Sequence, residues 1–84
     1  MDIEKEIHNI VVNTFDLKND KVSNSQSAAD IKNWDSIGQI QLIVAVEEKF
    51  NLSFEIEETF EVITIESIIN IVKRKMIEKN VTEP

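Results

Sequence analysis

A serine hydroxyl at the predicted start of a helix is the group in this sequence best placed to do chemistry. Ser36 follows Asp35, a favoured N-cap residue, and precedes a helical apolar pattern that begins at Ile37. The start of a helix exposes unpaired N–H groups and a partial positive charge, so a phosphate ester on Ser36 would be held favourably. The alternative is that Asp35 and Ser36 only cap the helix, and this short segment does not distinguish the two interpretations.

The composition excludes most other kinds of chemistry. The chain of 84 residues has one histidine and no cysteine, which excludes disulfides, iron–sulfur clusters, cysteine zinc sites and a histidine metal cage. Because His8 lies in a helical pattern far along the chain from Ser36, a serine nucleophile with an imidazole base is not expected. One histidine and surface carboxylates supply no acid–base pair, so we predict that the protein is not an enzyme.

The net charge narrows the choice of partners. A formal charge of −7 repels phosphate backbones and anionic lipids, which argues against nucleic acid and against membrane surfaces. The N-terminal residues lack the basic and apolar pattern of a secretion signal, and no stretch approaches the roughly 18 apolar residues of a membrane span. We therefore expect a cytoplasmic, unprocessed protein.

The spacing of apolar residues predicts an all-α fold, a small four-helix bundle that forms one domain over residues 1–84. Three of the helices are longer and one is short and acidic. The predicted elements, in chain order, are a helix over residues 2–16, a long loop over residues 18–33, a helix from Ser36 with a stop at Asn51, a short acidic helix from about Ile56 to Val62, and a last helix capped by Thr64.

Most of the negative charge lies in the middle third of the chain. Residues 35–63 contain seven acidic residues and one lysine, which is a net charge of −6. A run of charge is most often a solvated face of the fold. The alternative is a surface that steers basic partner proteins.

The segment from Asp35 to Ile65 resembles the acyl carrier protein family, in which an Asp-Ser-Leu type motif opens the second helix; it reads DSIGQIQLIVAVEEKFNLSFEIEETFEVITI. The resemblance covers nearly the whole chain. It comprises an N-terminal amphipathic helix, a long loop, the serine motif, an apolar helix ending in EEKF, a short acidic helix and a final helix introduced by ITI. The tripeptide alone is weak evidence, and the ordered set at these spacings is strong evidence.

The resemblance implies a prosthetic group on Ser36. A phosphopantetheinyl transferase, using coenzyme A and Mg²⁺, would attach 4′-phosphopantetheine, and the terminal thiol of this arm would carry an acyl group as a thioester. Acyl- or aminoacyl-activating and transferring enzymes would be the partners. Asp35 would cap the helix and help the transferase place its metal and coenzyme A. An aminoacyl cargo, D-alanyl or peptidyl, stays open, as does an unmodified acidic adaptor in which Ser36 is only a cap.

The second helix has two faces with different predicted roles. Leu42, Val46 and Phe50 repeat at i, i+4 and i+8, which predicts that they face the core. The resemblance implies that the face following Ser36 meets partner enzymes together with nearby acidic residues. The members of this predicted partner surface are Ile37, Ile40, Val44, Glu47, Glu48 and Glu57. The alternative is that its three apolar members belong to the core, because a helix this apolar could be buried nearly all round.

Three residues depart from the fatty-acid type of carrier. Gly38 and Gln41 stand where those carriers usually have acidic residues, and Trp34 precedes the motif. In these positions the chain looks more like the specialised stand-alone carriers of amino-acid, polysaccharide or secondary-metabolite pathways. We also expect the protein to be a monomer. Trp34 is interpreted as the apolar anchor of the loop. Gly38 gives close access for the arm or a partner, or serves packing.

The resemblance also implies a space between the second and third helices, in which some carriers shelter an acyl chain. Val46, Phe54, Thr59 and Val62 would border it. The bulk of Phe54 argues against a long sheltered chain.

Overall fold

Four α-helices make up the computed structural model, which describes residues 2–17 and 22–82. They are, in chain order, α1 (Ile3–Thr14), α2 (Ser36–Phe50), α3 (Ile56–Thr59) and α4 (Ile65–Thr82). No strand occurs in either described range. An isolated antiparallel β-bridge joins Ser27 to Thr64. The predicted all-α fold with three longer helices and one short helix is confirmed. Residues 18–21 of the predicted loop lie outside the described residues.

Helix α1 is shorter at both ends than the predicted helix over residues 2–16. Asp2 lies outside it as the N-cap, where its carboxylate accepts a hydrogen bond from the backbone N–H of Lys5 (3.2 Å). Beyond the other end, Asp16 adopts a φ of 52°, which an α-helix does not accommodate. The helix predicted from apolar spacing was therefore too long at both ends, because Asp2 and Asp16 lie outside α1.

Helix α2 begins and ends where its local signals predict. Asp35 is the N-cap, and its side chain accepts from the backbone N–H of Gly38. Asn51 is the C-cap in the left-handed conformation (φ 54°), which asparagine tolerates better than most residues. Both predicted boundaries of this helix are confirmed.

Helix α3 ends earlier than predicted, at Thr59 rather than at Val62. The N–H groups of Glu61 and Val62 bond to carbonyls three residues earlier, so the chain continues as turns. These turns carry Val62 into the core, where its side chain is only 5% exposed. The hydrogen-bond pattern of a regular α-helix therefore does not continue to residue 62.

The core lies where α1 packs against α2 and against α4. Leu42, Val46 and Phe50 are buried there, as the sequence predicts for one face of α2. The other helices contribute residues at helical spacing, and these are Ile7, Val11, Ile65, Ile68 and Val72. Burial of each such side chain contributes about 1.5–3 kcal/mol to folding.

None of the helices in the described part of the chain is long and apolar enough to cross a membrane.

The loop before α2 is attached to the bundle by an aromatic anchor. The Trp34 side chain is 4% exposed and stacks on Phe15 with 5.5 Å between ring centroids. Ile31 is buried beside it in the same core. Trp34 therefore has the anchoring role that the sequence predicts.

The same loop bonds the start of α4. The N–H groups of the first two residues of α4 donate to the backbone carbonyls of Gln26 (3.0 Å) and Asn24 (2.9 Å). The Thr64 hydroxyl accepts from the N–H of Ser67 (3.1 Å), which confirms Thr64 as the predicted N-cap. Three N–H groups at this helix start are thus satisfied within the chain.

Candidate functional site

Ser36 is the first residue of α2 and is exposed to solvent. The cap of this helix is supplied by Asp35, whose Oδ1 accepts from the N–H of Gly38 at 2.8 Å. Among the hydrogen bonds of the described residues, none involves the Ser36 hydroxyl. Asp35 rather than Ser36 therefore supplies the side-chain cap of α2, and attachment of a group to the exposed Ser36 stays a prediction.

Gly38 allows the loop to pass close to the first turn of α2. It is buried, and a Cβ at this position would collide with the carbonyl oxygen of Asn33 and would lie 2.8 Å from Cε1 of Phe15. Asn33 itself has a φ of 76°, so its carbonyl is held in an uncommon backbone conformation. The structure supports the packing interpretation of Gly38. Burial argues against the alternative that Gly38 gives access to an arm or a partner.

The electrostatics at Ser36 favour an attached anion. The start of a helix of 15 residues carries a partial positive charge, and the first turn of α2 contains no acidic residue. A phosphodiester at this position would be stabilised by that partial positive charge. Asp35 is exposed next to Ser36, but within the described ranges no group of three or more residues could hold a metal ion.

The apolar members of the predicted partner surface are exposed. Ile37, Ile40 and Val44 are 69%, 64% and 45% exposed, so the alternative that they belong to the core is wrong. Phe60, just past α3, is 78% exposed and lines the same pocket as Ile40 and Val44. We call Ile37, Ile40, Val44 and Phe60 the apolar surface. Phe60 was missed from the sequence, although an aromatic residue in an acidic segment is a usable signal.

The acidic members of the predicted partner surface do not share one environment. Glu48 and Glu57 are exposed. Glu47 is half-buried, and its Oε2 accepts from the backbone N–H of Phe54 at 2.9 Å. Glu47 therefore fixes the turn that follows α2, whereas a partner-binding role of these three carboxylates stays a prediction.

A pocket of about 310 Å³ lies between α2 and the end of α3. Of the four residues predicted to border such a space, only Thr59 lines it. Val46 and Val62 are buried in the core instead. The pocket differs from the predicted space because α3 ends at Thr59 and Phe60 forms one of its walls. The lining residues are Gln39, Ile40, Ile43, Val44, Thr59 and Phe60.

The side chain of Gln39 bridges three segments of the fold, and sequence reasoning missed it. Its Oε1 accepts from the indole N–H of Trp34 at 2.5 Å. Its Nε2 donates to the backbone carbonyls of Thr59 (3.2 Å) and Val62 (3.1 Å). No local pattern reveals bonds between residues twenty or more positions apart, so the sequence carried no signal for these two bonds.

Helix α3 is also tied to α4 by an ion-pair cluster. Glu58 lies 2.7 Å from Nζ of Lys75 and 3.1 Å from a guanidinium nitrogen of Arg74. The hydrogen bond from Lys75, followed by the backbone N–H of Glu55, the charge of Lys75 and a hydrogen bond from Arg74, holds the pKa of Glu58 below its ordinary value of 4.5, against an opposing effect of burial. This cluster fixes the helix that carries one wall of the pocket.

We expect the Glu58→Gln variant to lose about 0.5–1 kcal/mol of stability at pH 7, because it removes two partly exposed ion pairs. The folded-state pKa of Glu58 is lowered, so its contribution is present above about pH 4.5 and disappears as the pH falls through the lowered pKa. Urea denaturation at pH 7 and pH 3 measures this difference. Glu57→Gln, the exposed neighbour on α3, is the matched control and should change stability little at either pH. An equal loss in both variants would contradict the role of the cluster.

Comparison with known proteins gives relatives over nearly the full length. The chain is 31% identical over 77 residues to the acyl carrier protein of Buchnera aphidicola subsp. Acyrthosiphon pisum (strain Tuc7), covering 92% of this chain and 96% of that protein. It is 33% identical over 72 residues to the acyl carrier protein of Buchnera aphidicola subsp. Baizongia pistaciae (strain Bp), covering 86% of this chain and 92% of that protein. No family model matches the chain.

Proposed function

This chain belongs to the acyl carrier protein family, and from that membership we propose that it acts as a single carrier domain with 4′-phosphopantetheine attached to Ser36. The observation that carries the proposal is the exposed Ser36 hydroxyl, which stands at the start of α2 while Asp35 supplies the cap. The name of the relatives describes carriers rather than enzymes, which supports a role without catalysis. It also favours an acyl cargo over an aminoacyl cargo.

The residues around Ser36 fit a phosphodiester. Ser36 is exposed, and its hydroxyl is not used in the capping bond. The N-terminus of α2 stabilises a negative charge attached there. Attachment would leave the hydrogen bond from Gly38 to Asp35 in place. When bound, the group supplies a thiol that holds the acyl group as a thioester, which this cysteine-free chain cannot supply itself.

Asp35 has a second role in the proposal. One of its oxygens accepts the capping bond, and the exposed carboxylate can still bind a cation. A phosphopantetheinyl transferase that brings Mg²⁺ and coenzyme A would find this carboxylate next to the hydroxyl it modifies. We therefore assign Asp35 to recognition by the transferase as well as to the helix cap.

The finer assignment is a specialised pathway in the cytoplasm, served by a monomeric carrier. Gly38 and Gln41 remove negative charge from the first turns of α2, which weakens the attraction to basic patches on fatty-acid enzymes. Trp34 and Gly38 also serve the packing between the loop and α2. Carriers of amino-acid, polysaccharide or secondary-metabolite pathways share this pattern more closely.

The test is incubation of the purified chain with coenzyme A, Mg²⁺ and a broad-specificity phosphopantetheinyl transferase, followed by intact-mass measurement. The expected result is a gain of one phosphopantetheine moiety, and fragmentation of the modified peptide should place it on Ser36. An unchanged mass under conditions that modify a known carrier would overturn the proposal and would favour an unmodified adaptor.

We further propose that the apolar surface meets the partner enzymes. Ile37, Ile40 and Val44 follow Ser36 along one side of α2, and their exposed side chains gain from burial against a partner. Exposed Glu48 and Glu57 add negative charge that attracts a basic rim on the partner. Acyl-activating and acyl-transferring enzymes with an apolar groove and basic margins fit this surface.

We expect Ile40→Asp and Val44→Asp to lower kcat/KM for modification by the transferase about tenfold or more, because a charge would be desolvated at the interface. Their free energies of unfolding should change by only about 0.5 kcal/mol, since both side chains are exposed. Leu42→Asp is the control in the same helix. Leu42 is fully buried, and its replacement should unfold the protein. If Ile40→Asp and Val44→Asp also unfolded the protein, the side chains of Ile40 and Val44 would belong to the core.

A further inference from the structure

The amide of Gln39 is fully bonded between α2, the end of α3 and the loop. Its oxygen accepts from Trp34, and its nitrogen donates to the carbonyls of Thr59 and Val62. An indole N–H can only donate and a backbone carbonyl can only accept, so a flipped amide would mismatch all three bonds. The geometry therefore specifies both the residue type and its orientation.

This bridge bears on α3 because none of the four residues of that helix is buried. Among the described residues, the ion pairs of Glu58 with Arg74 and Lys75 also tie the helix to α4. The buried side chain of Val62 anchors the turns that follow α3. Loss of the Gln39 bonds would release the end of α3 on the side facing α2.

The bridge crosses one side of the 310 Å³ pocket. Gln39 lines this pocket, whose other walls are apolar side chains of α2 together with Thr59 and Phe60. A volume of this size lies at the lower end for small-molecule sites. Ile40 lies one helical turn after Ser36, so a chain attached at Ser36 could reach the pocket along α2.

We propose that Gln39 is a specificity-determining residue, whose amide bridge from α2 to α3 limits the pocket to short aliphatic chains and couples it to Trp34. A longer chain would have to pass between the helices where the amide spans them. Loss of the amide bonds would leave the Val62 carbonyl and the indole N–H of Trp34 without these partners, and the Thr59 carbonyl with the N–H of Val62 alone. The ligand class rests on the proposed function, since the aliphatic chain would belong to the acyl group carried through Ser36. The bridge itself does not depend on the proposed function.

The bridge is tested first in the unmodified protein by hydrogen exchange. We expect Gln39→Glu to speed exchange of the Thr59 and Val62 amides about tenfold, because a carboxylate cannot donate to the two carbonyls. The indole N–H of Trp34, the single tryptophan, should stay protected in this variant and lose protection in Gln39→Ala. Gln41→Glu, an exposed position on α2 with the same charge change, should leave all these rates unchanged. Unchanged Thr59 and Val62 rates in Gln39→Glu would overturn the bridge.

The size limit is tested with butyryl, octanoyl and dodecanoyl groups loaded from their coenzyme A thioesters. A chain that enters the fold raises the melting temperature, because it binds only the folded state. We expect butyryl loading to raise the melting temperature of the wild type and of Gln41→Ala. Octanoyl and dodecanoyl loading should raise it no further in these two proteins. Gln39→Ala should gain about 4 °C more with dodecanoyl than with butyryl. Normal loading with the same chain-length dependence in all three proteins would overturn the size limit, whereas failure of the wild type to load would overturn the proposed function instead.

Discussion

The Ser36→Ala variant is expected to gain no mass from coenzyme A and the transferase, while its melting temperature stays within about 3 °C of the wild type. The loss is complete because no other group of the chain occupies the start of α2. Stability is preserved because Asp35 makes the capping bond, and the Ser36 side chain is exposed. Intact mass and thermal unfolding measured on the same sample separate the two effects.

Ser53→Ala is the matched control for this variant. Ser53 is also an exposed serine, but it lies after α2 rather than at a helix start. It should be modified at Ser36 as efficiently as the wild type. Two results would contradict the assignment: mass gain in Ser36→Ala, or a loss of fold in that variant as large as that of a core substitution.

The second large effect concerns Gly38→Ala, which we expect to lower the free energy of unfolding by about 2–4 kcal/mol. The added Cβ would collide with the Asn33 carbonyl and press on the ring of Phe15. The carbonyl belongs to a backbone in an uncommon conformation and cannot move cheaply, and Phe15 is stacked on Trp34. Because small domains have only about 5–15 kcal/mol of stability, this loss is readily measured by urea denaturation.

The sign of the Gly38→Ala effect decides between two explanations. Helix propensity alone predicts that alanine stabilises α2 by about 1 kcal/mol, whereas packing predicts destabilisation. Gln41→Ala, at an exposed position of the same helix, measures the propensity effect without a collision and should change stability by only about 0.5 kcal/mol. A Gly38→Ala variant more stable than the wild type would contradict the packing explanation.

The sequence predicted best those features that local chemistry decides. Asp35 and Asn51 set the ends of α2 because a cap acts on N–H or C=O groups within a few residues. The buried face of Leu42, Val46 and Phe50 followed from spacing along one helix. The position of Ser36 at the start of α2 was predicted for the same reason, whereas its role as the attachment site stays a prediction.

Features that depend on distant parts of the chain were predicted poorly. Val62 was placed in a helix because its burial under the other elements leaves no mark on its neighbours in sequence. The pocket was assigned to four residues of which only Thr59 lines it, because its position depends on where α3 ends. Gln39 was not recognised, since its backbone partners at and after the end of α3 lie in a different part of the chain.

The carbonyls of Gln26 and Asn24 that bond the start of α4 have a consequence for how the molecule folds. The opening N–H groups of α4 have no such partners until the loop has docked, and Asn24 also hydrogen-bonds His8 of α1 through its side chain (2.6 Å). We therefore expect the loop to order together with α1 and α4, which closes a long segment of chain and raises the folding barrier. We expect the domain to unfold in one cooperative transition.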